Sequence, residues 1–172
     1  MALSLMTKEN WVSAMNSNRD NKKNDEKRDN PDGRSAIHTV IDKDNTTPSM
    51  RTIAMPADTN PAGDIFGGWI LAQMDLAGGS HAFYVAQGRC STVAVTGMQF
   101  HLPVFVGDEV SCYCATQEIG RTSVTVFVET WVRRRRLEKA VKVTEGLFTF
   151  VALDDQGKPR PVRDLDGELN RT

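Results

Sequence analysis

The stretch NPAGDIFGGWILAQMD, residues 60–75, sets one carboxylate, Asp64, between glycines and just ahead of an apolar run long enough for a helix. A carboxylate so placed can act on an electrophilic carbonyl in two ways. It can take a proton from water as general base, or attack directly as nucleophile. Acyl transfer also needs donors for the developing oxyanion. The first N–H groups of a helix have no intrahelical partner and lie at the positive end of its dipole. Gly67 and Gly68 carry no side chains, so a carbonyl can approach their backbone closely. Gly68 or a neighbouring amide is the expected oxyanion donor, and Asn60 can orient the water or the carbonyl through its amide. An acid ahead of a helix is ordinarily a cap; the flanking glycines weigh towards chemistry.

Other reactive residues are weaker candidates. Asp75, inside the helical run, is the rival carboxylate, and a buried polar contact is its expected role. His81 and His101 have no Ser or Cys positioned by pattern, so both read as satisfied or surface histidines. The chain has three cysteines, Cys90, Cys112 and Cys114. Two of them stand two apart on an alternating segment, which makes neither a redox C-x-x-C pair nor a zinc cluster. Reduced, buried thiols are expected, and no metal. GDIFGG lacks the spacing and the lysine of a phosphate-binding loop.

The elements that must position Asp64 follow from periodicity. MRTIAMP, from Met50 to Pro56, reads as a short strand stopped by proline. WILAQMDLAGGSHAFYVAQG is apolar nearly all round, as a buried helix is. Gly78 and Gly79 weaken it by about 1 kcal/mol each relative to alanine, so close backbone packing is expected there. The remainder alternates with period two. In EVSCYCATQEI, Val110, Cys112 and Cys114 share a face. In RTSVTVFVETWVRR, Val124, Val126, Val128 and Val132 oppose Phe127 and Trp131. Gly120-Arg121 marks a tight hairpin between these two segments. The order strand, helix, then four strands as an antiparallel meander predicts an α+β fold, a curved antiparallel sheet wrapped around one long central helix. Its free edge and apolar outer surface call for a second copy.

With 172 residues, one domain is expected, with chain to spare. Residues 16–35 contain no Leu, Ile, Val, Phe or Met and cannot offset their ordering entropy by burial, so disorder is expected within a 1–49 extension. The domain is expected over 50–153, and a polar tail over 154–172. The formal net charge of −1 argues against general attraction to nucleic acid or anionic membranes. MALSLMTKEN is too short an apolar run for a signal peptide, and no stretch approaches a membrane span. A soluble, cytoplasmic protein is expected.

Three segments together, PADTNPAGDIFGGWILAQMD, VAVTGMQFHLPVFVGDEVSCY and GRTSVTVFVETWV, resemble the YciA-type acyl-CoA thioesterases of the hotdog fold. The resemblance runs from about Met50 to Leu153. It implies a homodimer with active sites at its interface, assembling further to a hexamer. It implies hydrolysis of acyl-CoA to free acid and CoA without a cofactor, with Asp64 as the catalytic carboxylate. CoA carries phosphates, so basic residues should line the groove mouth. Arg121, with the hydroxyls of Thr122 and Ser123, is the first candidate by family likeness, and Arg89 is another. The run Arg133–Arg136 reads rather as a solvated strand end. Hydratase relatives would be expected to show an Asp/His pair, and no histidine lies between Gly63 and Asp75. A non-catalytic acyl-CoA-binding regulatory module on the same fold is the alternative function; such a sensor would not need Asp64. A nucleic-acid module built on the arginine run fits poorly with a near-neutral chain.

Overall fold

The computed structural model describes residues 41–42, 46–134 and 140–162. Most of the 1–49 extension, including the polar 16–35 stretch, lies outside the described residues, as do Arg135, Arg136 and the tail from 163 onward. Strand β1 (Met50–Ile53) leads into a short 3-10 turn at Pro56–Asp58 and then helix α1 (Gly67–Val85). Strands β2 (Cys90–Phe100), β3 (Glu109–Ile119), β4 (Ser123–Arg133) and β5 (Val141–Ala152) follow. They form one antiparallel sheet in the order β1-β3-β4-β5-β2. The expected α+β class is what the chain adopts.

The meander is confined to β3, β4 and β5, which corrects the expectation that it would include β2. Strand β2 pairs instead with β5, at the far edge of the sheet. The reason lies in residues 101–108. This connection contains Pro103 and no tight hairpin turn, so it crosses the sheet instead of reversing beside β2. It is tied to β5 where it leaves, by Leu102 N–H to the Val143 carbonyl (3.3 Å). It is tied to the chain just after β1 where it arrives, by Gly107 N–H to the Ala54 carbonyl (2.8 Å). Sequence neighbours pair in a sheet only about two-thirds of the time.

Alternation decides the faces as expected. Val110, Cys112 and Cys114 of β3 and Val124, Val126, Val128 and Val132 of β4 are buried together with Phe148 and Phe150 of β5. Helix α1 lays Ile70, Met74, Ala77, Gly78 and Ala82 onto this layer. Its opposite face is bare in the single chain, where Leu76, Phe83 and Tyr84 are all more than half exposed. The helix is therefore wrapped on one side only. Strand β2 is exposed along nearly its whole length, with Val93, Val95 and Phe100 open to solvent.

Gly78 has the packing role expected of a glycine in a helix interior. A Cβ built there would lie 3.1 Å from Cζ of Phe150 and 3.3 Å from Cγ2 of Val128. Gly79 is less constrained, its nearest neighbour being Cε1 of Phe150 at 3.5 Å. Gly78→Val should lower the unfolding free energy by about 2 kcal/mol through overpacking. Denaturant titration reads this as an earlier midpoint with an unchanged slope. Among the described residues no helix is long and apolar enough to cross a membrane.

Candidate active site

Asp64 sits on a loop that closes on itself. Thr59 and Ile65 form an isolated bridge, and within it Asn60 N–H donates to the Asp64 carbonyl (2.8 Å). Gly63 N–H donates to the Asn60 carbonyl (2.9 Å). The side-chain oxygen of Asn60 accepts from two backbone amides, those of Ala62 (2.9 Å) and Asp64 (3.1 Å). Gly63 supplies the left-handed turn this ring requires, at φ +89°. Asn60 thus spends its oxygen on shaping the loop, and its amino group donates to nothing among the described residues.

The Asp64 carboxylate is exposed and accepts no hydrogen bond among the described residues. It is not a helix cap. Phe66 takes the N-cap position without a side-chain hydrogen bond. Its carbonyl accepts from Trp69 (2.9 Å) and Ile70 (3.3 Å), and its own N–H is held by the Asp58 carbonyl (3.0 Å). That leaves the amides of Gly67 and Gly68 without an acceptor among the described residues, at the positive end of a 19-residue helix. The Phe100 ring, at the end of β2, lies against Gly67. Asp58 was not singled out from sequence. Its carboxylate accepts from Met55 N–H (2.8 Å), fixing the turn whose backbone holds Phe66.

The rival groups are occupied. Asp75 accepts a hydrogen bond from the Thr92 hydroxyl (2.7 Å); this polar contact is exposed in the single chain, where a buried one was expected. His81 meets the Thr116 hydroxyl (2.9 Å), and burial pushes its pKa down. His101 pairs with Glu145 (3.2 Å), which also binds Lys142 (2.6 Å). Burial pushes the Cys112 and Cys114 thiols up to about 11, which leaves them unreactive at neutral pH. In the arginine run, Arg133 binds Glu109 (2.7 Å). Arg134 binds the buried Asp108 (3.2 Å), donates to the Pro103 carbonyl and covers the Phe105 ring. These two arginines hold the β2–β3 connection and the strand end. Among the described residues no His, Cys, Asp and Glu cluster could hold a metal ion.

The expected CoA-binding residues gather elsewhere. Leu153 N–H donates to the Arg89 carbonyl (2.8 Å), Ala152 N–H to the Thr122 carbonyl (2.9 Å) and Val162 N–H to the Arg121 carbonyl (2.9 Å). Arg89 and Arg121–Ser123 therefore flank the end of β5, with their backbones roughly 10 Å apart across two strand spacings. This end of the sheet adjoins the C-terminus of α1, where the Cys90 thiol lies against the Ala82 carbonyl. Asp64 and Gly68 are at the other end of the same helix, about 28 Å away at 1.5 Å per residue. One chain brings Asp64, Asn60, Gly67 and Gly68 together, and Arg89, Arg121, Thr122 and Ser123 together, but not the two groups to each other.

Comparison with known proteins places this geometry. The thioesterase superfamily model matches residues 62–139. The acyl-CoA thioester hydrolase YciA of Salmonella typhimurium is 50% identical over 116 residues, covering 66% of this chain and 87% of the relative. The chain belongs to the YciA-type acyl-CoA thioester hydrolases. Solved thioesterase structures share the fold of the domain. A hexameric thioesterase from Yersinia pestis matches with a TM-score of 0.66 at 48% identity, over 70% of this chain and 98% of its own. A hexameric hotdog fold thioesterase of Campylobacter jejuni matches with a TM-score of 0.66 at 41% identity, over 72% and 93%. In this YciA-type chain, the superfamily match begins within the Asp64 loop and extends past β4.

Proposed function

We propose that the chain hydrolyses acyl-CoA thioesters to free acid and CoA, at a site completed by a second copy. The observation that carries the reading is the pairing of a carboxylate, Asp64, with the helix N-terminal amides of Gly67 and Gly68, none of which has a partner among the described residues. Asp64 takes a proton from water as it attacks the thioester carbonyl, or attacks that carbonyl itself to form a mixed anhydride that water then opens. The carbonyl oxygen becomes an oxyanion and is stabilised by the Gly68 amide and its neighbour. The C–S bond then breaks: in the general-base route the CoA sulfur leaves with the proton Asp64 took from water, and in the anhydride route it leaves as thiolate and gains a proton from the water that opens the anhydride. Asn60, its oxygen held by the loop, offers its amino group to the carbonyl or to the water.

Arg89 and Arg121 take the CoA phosphates through charge-assisted hydrogen bonds, aided by the Thr122 and Ser123 hydroxyls. The length of α1 between these residues and Asp64, roughly 28 Å at 1.5 Å per residue, is bridged by two-fold pairing along β2. Antiparallel β2 edges lay the N-terminal end of one α1 beside the C-terminal end of the other. The same pairing covers Val93, Val95 and the bare face of α1. Three such dimers form a hexamer; the Yersinia pestis and Campylobacter jejuni thioesterases are hexameric. The catalytic domain is 50–153 extended by the return segment to 162, which bonds back to Ala152 and Arg121, and it works in the cytoplasm.

Thiol release from a panel of short, medium and long acyl-CoAs tests the activity. Turnover is expected, and its dependence on chain length reports the acyl tunnel. Saturable binding of acyl-CoA with no thiol released would instead identify a sensor.

A further inference from the structure

We propose that Arg160 is a positioning residue for CoA recognition, clasping the end of α1 that leads to Arg89 together with the β5 end and the return segment, which bond to Arg89 and Arg121. This rests on the assignment of Arg89 and Arg121 to CoA. The residue lies in the stretch expected from sequence to be a polar tail. After β5 the chain turns at Asp154–Gly157, where the Asp154 carboxylate accepts from Gln156 N–H (2.9 Å) and Lys158 N–H (2.8 Å). It then runs back along the sheet, with Arg160 N–H donating to the Ala152 carbonyl (2.9 Å).

The Arg160 guanidinium spans three backbone segments. Nη2 donates to the Ala86 carbonyl at the C-cap of α1 (2.9 Å), Nε to the Leu153 carbonyl (3.1 Å) and Nη1 to the Pro161 carbonyl (3.1 Å). A cation at a helix C-terminus meets the negative end of the dipole. The fork fits because Gly88 has no side chain: a Cβ there would lie 2.7 Å from Nη2. Gly88 also holds φ +151°, a conformation L side chains rarely adopt.

Of the three carbonyls that Arg160 engages, that of Leu153 belongs to a residue bonded to Arg89, and that of Pro161 adjoins Val162, which bonds to Arg121. Leu153, whose carbonyl takes Nε, donates its own N–H to Arg89. Val162, two residues on, donates to Arg121. Arg89 itself follows Gly88, which the guanidinium covers. Removing the fork frees the helix end, the Arg89 turn and the 160–162 segment that bonds to Arg121. Asp64, Gly67 and Gly68 are at the other end of the helix and keep their own hydrogen bonds.

The test compares Arg160→Ala and Arg160→Lys in the full chain, using acyl-CoA and an acyl-pantetheine that has the same thioester but no phosphates. For Arg160→Ala, KM for acyl-CoA should rise about tenfold with kcat within a factor of about two, and kcat/KM on acyl-pantetheine should be unchanged. Lysine keeps the charge but cannot span the three carbonyls, so Arg160→Lys should raise KM nearly as much. Should Arg160→Ala not fold, the lysine variant carries the test alone. Equal losses on both substrates would make Arg160 merely structural and overturn the proposal, as would an unchanged KM for acyl-CoA. Equal KM of the wild type for the two substrates would instead reject the phosphate-binding role of Arg89 and Arg121 itself.

Discussion

Asp64→Asn is expected to lower kcat on acyl-CoA by about a thousandfold, within the range of general acid–base contributions, while KM changes by less than about threefold. The substitution keeps shape and removes the carboxylate on the loop beside the Gly67 and Gly68 amides that can take a proton from water. Stability should be nearly untouched, within about 0.5 kcal/mol, because the carboxylate is exposed and bonds to nothing else described. The loop is held by Asn60 and by the backbone of Asp64, both of which the variant retains. Thermal melting beside steady-state kinetics therefore separates lost chemistry from lost fold. A folded variant that keeps its rate would sink the assignment and turn attention to Asp75. That carboxylate has one oxygen taken by Thr92 and the other still available. Asn60→Ala should look different. It unties two loop amides as well as removing an amino group, so a fall in kcat would come with a lower melting temperature.

Much of this was legible in the residues. The acid between glycines, the apolar run behind it and the alternation of Val124, Val126 and Val128 each follow from local chemistry, and local chemistry is what a sequence displays. Gly78 was readable as a close contact because a helix interior tolerates glycine only for a reason; that its neighbour is Phe150 was not. The place of β2 was lost because periodicity says that a segment is a strand and not which strand it meets. The helix seemed wrapped all round because Leu76, Phe83 and Tyr84 are apolar whether their cover is this chain or another. Arg160 was missed for a related reason. Its three acceptors are carbonyls, which every residue carries, so no side-chain pattern marks them. The turn DDQGKP and the apolar Val162 beyond it were the available signal that the chain comes back to the sheet.

The separation of the two residue groups has the larger consequence, and mixed dimers test it. Asp64→Asn loses the carboxylate; Arg121→Glu puts a negative charge where CoA phosphates should bind and raises KM, about a hundredfold for a few kcal/mol of repulsion. Alone, each variant should be nearly silent at acyl-CoA concentrations well below the KM of the Arg121 variant. Co-expressed in equal amounts, half of the dimers are mixed. In a two-fold pairing along β2, one site of a mixed dimer takes Asp64 from one chain and Arg121 from the other and is intact, while its second site has lost both. Half the dimers with half their sites intact predicts recovery of about a quarter of wild-type activity. Were one chain to hold a whole site, every site in the mixture would carry one defect and no activity would return. The helix makes the first outcome the expected one. No side chain reaches across the length of α1, and the exposed residues that must be covered, Val93 and Val95 on β2 and Leu76 and Tyr84 on α1, line the route between the two halves. A charge placed in that strip, as in Val95→Asp, should then abolish turnover and dimerisation together, although Val95 touches neither Asp64 nor Arg121.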